Sequence, residues 1–319
     1  MSDVAITTTG LTKTYRRGSV VAVNALDLTV PKGGVHGFLG PNGSGKTTTL
    51  RMILGLIRAD SGTMTVLGQP VPQHLDEVVD SVGAIVESPK FFPAFTARKN
   101  LEILARAINV PKTRAGEVLE QVGLSGRADS QFRTYSLGMK QRLAIAATLM
   151  KDPEIFIFDE PTNGLDPSGI HEIRETMRSL GASGKTVLVS SHILHEIEQI
   201  ADTVTIIGRG RLLAEGRVAD ILGQGTASLR VGVRDVARAA GILSAAGMQV
   251  IPGEGSLVVT AAQVSGEQVS QLLGEQGVWV NELVSQRPNL EQMFLELTAQ
   301  EHLTTTQSRG GKARREKNS

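Results

Sequence analysis

The chain has no cysteine, and only 3% of its 319 residues are aromatic. The first absence excludes disulfides, cysteine-ligated zinc and iron–sulfur clusters, and suits a reducing cytosol. The second means that the core is built mostly from Val, Ile, Leu and Ala. A long hydrophobic run is missing too, since no apolar stretch approaches the ~18 to 20 residues that cross a bilayer. The opening MSDVAITTTG lacks the basic and apolar regions of a secretory signal. Nor is there a large excess of one charge: the net formal charge is +1, and it conceals a split. Residues 304–319 hold five basic residues (Arg309, Lys312, Arg314, Arg315, Lys317) against Glu316, a balance of +4, so the other 303 residues sum to −3. The folded part therefore has no basic excess pointing to nucleic acid.

What is present describes an ordinary globular protein, 40% hydrophobic and 20% charged. Its length suits one large domain plus a small one, or two medium ones. Short apolar runs alternate with helical patterns as far as about residue 224. The runs VHGFLG (35–40), VGAIVE (82–87), IFIFDE (155–160), TVLVSS (186–191) and TVTIIG (203–208) are apolar on both faces. That is the mark of a parallel sheet covered by helices on each side, an α/β fold. Helical segments over 46–57 and 97–108 lie between them. After residue 224 the order reads strand 229–234, helix 235–247, strands 249–252 and 256–260, helix 263–276 and strand 278–285. This βαββαβ pattern predicts a small ferredoxin-like α+β domain over 225–303. A last helix is expected within 287–298, with Asn289 as cap, Gln292 returning the bond, and an apolar stripe of Leu290, Met293, Phe294 and Leu297. Residues 304–319 read as a disordered basic tail.

GPNGSGKT, residues 40–47, matches the P-loop pattern between a predicted strand and a predicted helix. Gly40, Gly43 and Gly45 let backbone N–H groups turn inward around phosphate oxygens. The candidate cradle comprises Gly40, Pro41, Asn42, Gly43, Ser44, Gly45, Lys46, Thr47 and Thr48. The helix N-terminus adds its positive dipole end. Lys46 supplies a mobile charge for the β- and γ-phosphates, and the Thr47 hydroxyl is a candidate Mg2+ ligand. A hydrophobic strand delivers Asp159 in IFIFDEP (155–161) to its carboxyl end, where it can hold Mg2+. Glu160 follows, on the opposite side of the pleat. A second acid there can polarise a water for attack on the γ-phosphate, which is hydrolysis rather than transfer to a substrate hydroxyl.

With these residues in hand the chain resembles the ABC ATPases over about residues 4 to 224. YSLGMKQR (135–142) resembles their signature motif, NGLDP (163–167) their D-loop, and His192 in SSHIL (190–194) their switch histidine. Tyr15 sits where that family stacks an aromatic on adenine. The resemblance implies a P-loop NTPase fold with a helical signature subdomain at about 88–152. It implies a nucleotide sandwich in which Ser136, Leu137, Gly138 and Met139 of one chain meet the γ-phosphate of ATP held by a second copy. Asp166 would carry contacts between the two copies, and His192 would touch the γ-phosphate. One P-loop and one signature per chain mean that a complete site needs a head-to-tail homodimer.

The same resemblance bears on Glu87, a carboxylate at the tip of an apolar run. In the family that strand presents Gln to the metal and the attacking water. Glu keeps the oxygen ligand and adds a charge, a change shared with ATPases resembling the bacitracin-resistance and lantibiotic self-protection exporters. Glu87 is therefore a third metal candidate beside Thr47 and Asp159, and a relay through Ser88 to Arg98.

These expectations add up to the ATP-hydrolysing subunit of an ABC exporter for an antibiotic, peptide or lipid cargo. It would be peripheral on the cytoplasmic face and docked on a separate membrane permease beside residues 88–104, where Phe91, Phe92 and Phe95 offer contacts. Two other readings stay open. One is a soluble ABC ATPase acting on ribosomes or DNA, disfavoured by the single ATPase unit and the absence of zinc-binding cysteines. The other is an ATP-gated regulatory module, which would need neither Glu160 nor His192.

Overall fold

The computed structural model describes residues 3–15, 18–86, 90–223, 228–260, 265–286, 289–291 and 293–295. It contains two compact units, Met1–Val218 and Ala219–Ser319.

In the first unit the elements run β1 (Val4–Tyr15), β2 (Val20–Pro31), β3 (Gly34–Leu39), α1 (Lys46–Ile53), β4 (Ser61–Val66), β5 (Gln69–Val71) and α2 (Leu75–Val78). They continue as β6 (Val82–Ile85), α3 (Ala97–Ala107), α4 (Arg114–Gln121), α5 (Leu137–Thr148), β7 (Ile155–Asp159) and α6 (Pro167–Ala182). The unit ends with β8 (Thr186–Ser191), α7 (Leu194–Glu198), β9 (Thr203–Gly208) and β10 (Arg211–Arg217), and α8 (Val218–Gly223) begins at the boundary.

The expected parallel sheet is present, in the order β10-β9-β3-β8-β7-β6, with β10 as an antiparallel edge. Its inner strands are fully or almost fully buried, which is why they read as unbroken apolar runs. Gly37 in β3 is forced by packing, because a Cβ there would lie 2.3 Å from Ile197 Cγ2 of α7. Several bounds differ from the sequence expectation by one or more residues. The strand expected over 82–87 ends at Ile85, the one over 155–160 ends at Asp159, and the helix over 46–57 ends at Ile53. The helix stops where Gly55 turns left-handed, at φ 68°, and its N–H donates back to Met52 O.

A second sheet of the first unit, antiparallel in the order β2-β1-β4-β5, was not expected. Its period-2 signal is hidden because β1 and β2 change register against each other at several points, and an extra residue in a strand breaks that strand's alternation. Helix α1 lies in the core between the sheets. Leu50, Met52 and Ile53 pack with Ile6, Leu26 and Leu28 of the antiparallel sheet and with Phe38, Ile157 and Leu188 of the parallel one. Each such buried side chain contributes about 1.5–3 kcal/mol relative to exposure.

The second unit runs β11 (Ser228–Val233), α9 (Val236–Ala245), β12 (Gln249–Pro252), β13 (Ser256–Thr260), α10 (Gly266–Glu275) and β14 (Val280–Gln286). The sheet order β12-β13-β11-β14, antiparallel throughout, is the ferredoxin-like arrangement that the βαββαβ pattern implies. Asp235 and Ser265 cap the two helices by accepting from Arg238 N–H and Gln268 N–H. Leu229, Val231, Leu243, Val259 and Leu273 form this unit's own core. Of the expected final helix, Leu290 is buried, while Gln292 and Leu297 lie outside the described residues, as does the tail 304–319.

A polar chain runs from buried His36 to Glu215 at the surface. His36 of β3 is 2% exposed, with Nδ1 2.8 Å from Thr203 Oγ1 and Nε2 2.9 Å from Thr205 Oγ1. Thr205 donates in turn to Glu215 Oε1 at 2.8 Å. Burial lowers the His36 pKa from 6.5 to about 3, so the folded chain keeps the ring neutral where the unfolded chain protonates it. Between these values the unfolded state binds more protons, so stability falls as pH drops below about 6.5. The urea midpoint of the wild-type chain should fall between pH 7 and pH 4, and His36→Leu, although less stable at pH 7, should show a shallower fall.

Candidate functional site

The site forms where β3, β8 and β7 end side by side. Leu39 pairs with Ser191, and Asp159 pairs with Ser190. Beyond β3 the chain enters the glycine-rich loop, whose Gly40 N–H donates to Ser191 O at 3.3 Å. Ser44 N–H closes a turn on Pro41 O at 3.1 Å. The loop permits no side chain at two points. A Cβ at Gly40 would lie 2.4 Å from Ile207 O, and one at Gly45 2.4 Å from Ala22 O. Gly43 and Gly45 have φ of 81° and 105°. Pro41, Asn42 and Gly43 are exposed, while Thr48 is half-buried in the first turn of α1.

Lys46 is 5% exposed, with Nζ donating to Gly40 O at 2.7 Å and Pro41 O at 3.3 Å. The same ammonium lies 3.2 Å from Glu160 Oε1. That oxygen is buried and receives no hydrogen bond, so the ion pair alone compensates it. The other oxygen, Glu160 Oε2, is 2.7 Å from His192 Nδ1. Glu160 is not on the pleat as the sequence suggested. It leaves the strand in a left-handed conformation, φ 49°, held by its N–H donating to Ser190 Oγ at 3.0 Å and to Ser190 O at 3.2 Å. This turn carries its carboxylate to Lys46 and His192.

Asp159 accepts from Thr47 Oγ1 at 2.7 Å and from Ser190 Oγ at 2.5 Å. Two adjacent hard oxygen donors beside a phosphate-binding loop fit a small divalent cation that takes its remaining ligands from phosphate and water. Among the described residues no group of three or more His, Cys, Asp or Glu gathers into a protein-only cage. The hydroxyl of Ser44 is buried without a hydrogen-bond partner in the wall of the loop. It has donor capacity suited to an anion.

The remaining sequence candidates form a separate group. Ser136 caps α5 by accepting from Met139 N–H at 3.2 Å, and Asp166 caps α6 by accepting from Gly169 N–H at 3.2 Å. The two helix starts touch: a Cβ on Gly164 would meet Leu137 Cδ2 at 3.4 Å, and one on Gly138 would meet Gly169 Cα at 3.6 Å. Arg142 joins the same helices through Glu172 at 3.3 Å. Leu137, at 53% exposed, presents an apolar side chain at the helix start. Tyr15 stands at the end of β1, 39% exposed, paired with Val20 of the strand whose Ala22 borders Gly45. Glu87 lies outside the described residues.

A family model described as ABC transporter matches residues 23–163. The chain is 36% identical over 292 residues to an uncharacterised ABC transporter ATP-binding protein, YhcH, of Bacillus subtilis, covering 91% of this chain and 94% of that one. The chain belongs to the ATP-binding proteins of ABC transporters. It is 49% identical over 212 residues to the bacitracin transport ATP-binding protein BcrA of Bacillus licheniformis, covering 66% of this chain and 69% of the relative. It is 37% identical over 312 residues to the daunorubicin resistance ATP-binding protein DrrA3 of Streptomyces coeruleorubidus, covering 93% and 97%. Among solved structures it resembles cbiO1 of Clostridium perfringens, part of an ABC transporter complex, at TM-score 0.64 and 25% identity over 70% of this chain and 92% of that one. It also resembles an ATP-binding cassette solved as a dimer with ADP and phosphate, at TM-score 0.59 and 25% identity over 67% and 98%.

The ABC ATPase binds and hydrolyses ATP. Sequence reasoning missed Ser190, which bonds both to the Asp159 carboxylate and to the Glu160 backbone. Its one signal was a position two residues before His192 at the polar end of an apolar strand. Removing a group that orients a metal-site carboxylate typically costs about 10- to 100-fold in activity. Ser190→Ala should lower the ATPase kcat by about that factor while ATP affinity, measured by calorimetry, changes little.

Proposed function

We propose that this ABC ATPase powers a separate membrane permease of the exporter type. ATP is clamped between two copies of the chain, and its hydrolysis releases them. The observation that carries the reading is the chain Lys46–Glu160–His192, set beside Thr47–Asp159–Ser190 at the ends of adjacent strands.

Lys46 already holds an anionic oxygen, that of Glu160, and a triphosphate competes for the same ammonium. When Lys46 turns to phosphate, Glu160 Oε1 is freed to accept a proton from water. The water oxygen attacks the γ-phosphorus, the bond to the bridging oxygen breaks, and ADP and phosphate leave. His192, bonded to the other carboxylate oxygen, keeps Glu160 aimed and reaches the γ-phosphate in turn. Thr47 and Asp159, with Glu87, are the residues proposed to hold Mg2+, which when bound screens the triphosphate charge and polarises its oxygens. Tyr15 stacks on adenine. The helix start at Ser136, Leu137, Gly138 and Met139 faces the ATP of the second copy, and Asp166 lies along the shared interface.

A groove of about 620 Å³ supports the permease partner. Its floor is β6, and its walls come from the ends of α1, α2, α3 and α5, with Leu104 and Ile108 on one side. Leu56, at 64% exposed, and Val79, at 53%, form its apolar rim. Val86 lines the groove, and the metal candidate Glu87 is the next residue in the sequence. The phenylalanines divide. Phe91 packs edge-on against Phe132 at 5.2 Å, whereas Phe92 and Phe95 are 57% and 41% exposed and pair at 5.3 Å. No helix among the described residues is long and apolar enough to cross a membrane, so this reading places the chain peripherally on the cytoplasmic face. The relatives' names favour an antibiotic or other amphiphilic cargo.

Glu160→Gln should reduce turnover at least about 100-fold, the usual scale for a lost general base. It should also make light scattering report an ATP-dependent dimer. A variant monomeric with ATP would overturn the clamp, and undiminished turnover would overturn the role of Glu160. Leu56→Arg should stop a membrane protein from co-purifying with the chain while leaving the ATPase rate of the isolated chain intact.

A further inference from the structure

The ladder between β1 and β4 ends early. Its last pair is Thr12 with Ser61, and Asp60 N–H still reaches Thr12 O at 2.9 Å. Beyond that point β1 runs on through Lys13 and Thr14 to Tyr15 without a β4 partner. The Asp60 side chain fills the gap. Its Oδ2 accepts from Thr14 N–H at 2.6 Å and from Thr14 Oγ1 at 2.7 Å, while Oδ1 takes Lys13 Nζ at 2.8 Å. A carboxylate oxygen thus stands where a strand carbonyl would otherwise receive the Thr14 N–H. The Lys13 and Thr14 hydrogen bonds hold the Asp60 carboxyl down to about 2, so it stays charged throughout the neutral range.

Lys13 and Tyr15 share a face of β1, as alternate residues of a strand do. The Lys13 ammonium lies over the Tyr15 ring, 5.8 Å from its centroid. A cation over one face of an aromatic ring is attracted to it and covers it. A flat partner must then use the other face. Lys13 would swing freely on its four-carbon stem without the Asp60 bond that pins it.

We propose that Asp60 is a positioning residue for nucleobase recognition. It extends the β1 ladder past its end, fixes the backbone that carries Tyr15, and parks Lys13 on one ring face so that the opposite face receives the base. The inference deepens the reading of Tyr15 as the adenine platform and rests on it. The Asp60 carboxylate bonds to Lys13 and Thr14 and has no bond to the loop at 40–47 among the described residues, so its influence falls on the base end of the ligand.

The test uses the full chain and two ligands, ATP and inorganic tripolyphosphate, which has the phosphates and no base. Base stacking on an aromatic side chain is worth about 1–3 kcal/mol, or roughly 5- to 150-fold. Asp60→Ala should weaken ATP binding about tenfold by calorimetry and leave tripolyphosphate binding unchanged. kcat at saturating ATP should move less than about twofold, so that the loss falls on KM. The double variant Asp60→Ala/Tyr15→Ala should bind ATP no more weakly than Tyr15→Ala alone, the non-additivity of two residues acting through one contact. Equal loss of ATP and tripolyphosphate would show a general disturbance of the site and overturn the proposal. So would Asp60→Ala binding ATP as the wild type does while Tyr15→Ala is impaired. If Tyr15→Ala itself binds ATP normally, the adenine platform falls and the role of Asp60 falls with it.

Discussion

The site depends on one register, that of three parallel strands ending level with one another. Asp159 pairs with Ser190, and Ser191 pairs with Leu39, the residue before the glycine-rich loop. Shift β7 by a single residue and Asp159 would point to the other side of the sheet, away from Thr47. Two consecutive acids at a largely buried strand end repel each other and lose hydration. The offset is distributed: Thr47 and Ser190 donate to Asp159, Lys46 pairs with one oxygen of Glu160, and His192 lies against the other. Ligand sites at the carboxyl ends of parallel strands follow from this convergence.

Helix α1 couples that strand-end chemistry to the rest of the first unit. Its N-terminus ends the phosphate cradle, and its apolar side chains form the layer between two sheets. The antiparallel sheet is more than a cover. Ala22 of β2 is the reason position 45 must be glycine, and β1 delivers Tyr15 at its far end. The glycine-rich loop and Tyr15 therefore come from different sheets, held in one frame by a shared hydrophobic core.

The helices α5 and α6 start in contact, each capped by a side chain of the motif that precedes it, Ser136 and Asp166. Further along, the Arg142–Glu172 pair joins the same two helices. On β6 and its neighbours an apolar groove reaches Val86, the residue before Glu87.

What was legible from sequence was chemistry tied to local pattern. GPNGSGKT and IFIFDE name a loop and two acids because close backbone approach demands glycine and a buried strand demands apolar runs. The βαββαβ order of the second unit was legible for the same reason, since its elements are short and regular. The antiparallel sheet was not, because register shifts in β1 scatter its alternation. Neither the left-handed turn at Glu160, the second bond of Ser190 nor the carboxylate of Asp60 standing in for a strand carbonyl carries a local signature. Each depends on residues tens of positions apart being brought within 3 Å or so of one another, and only tertiary packing sets that distance.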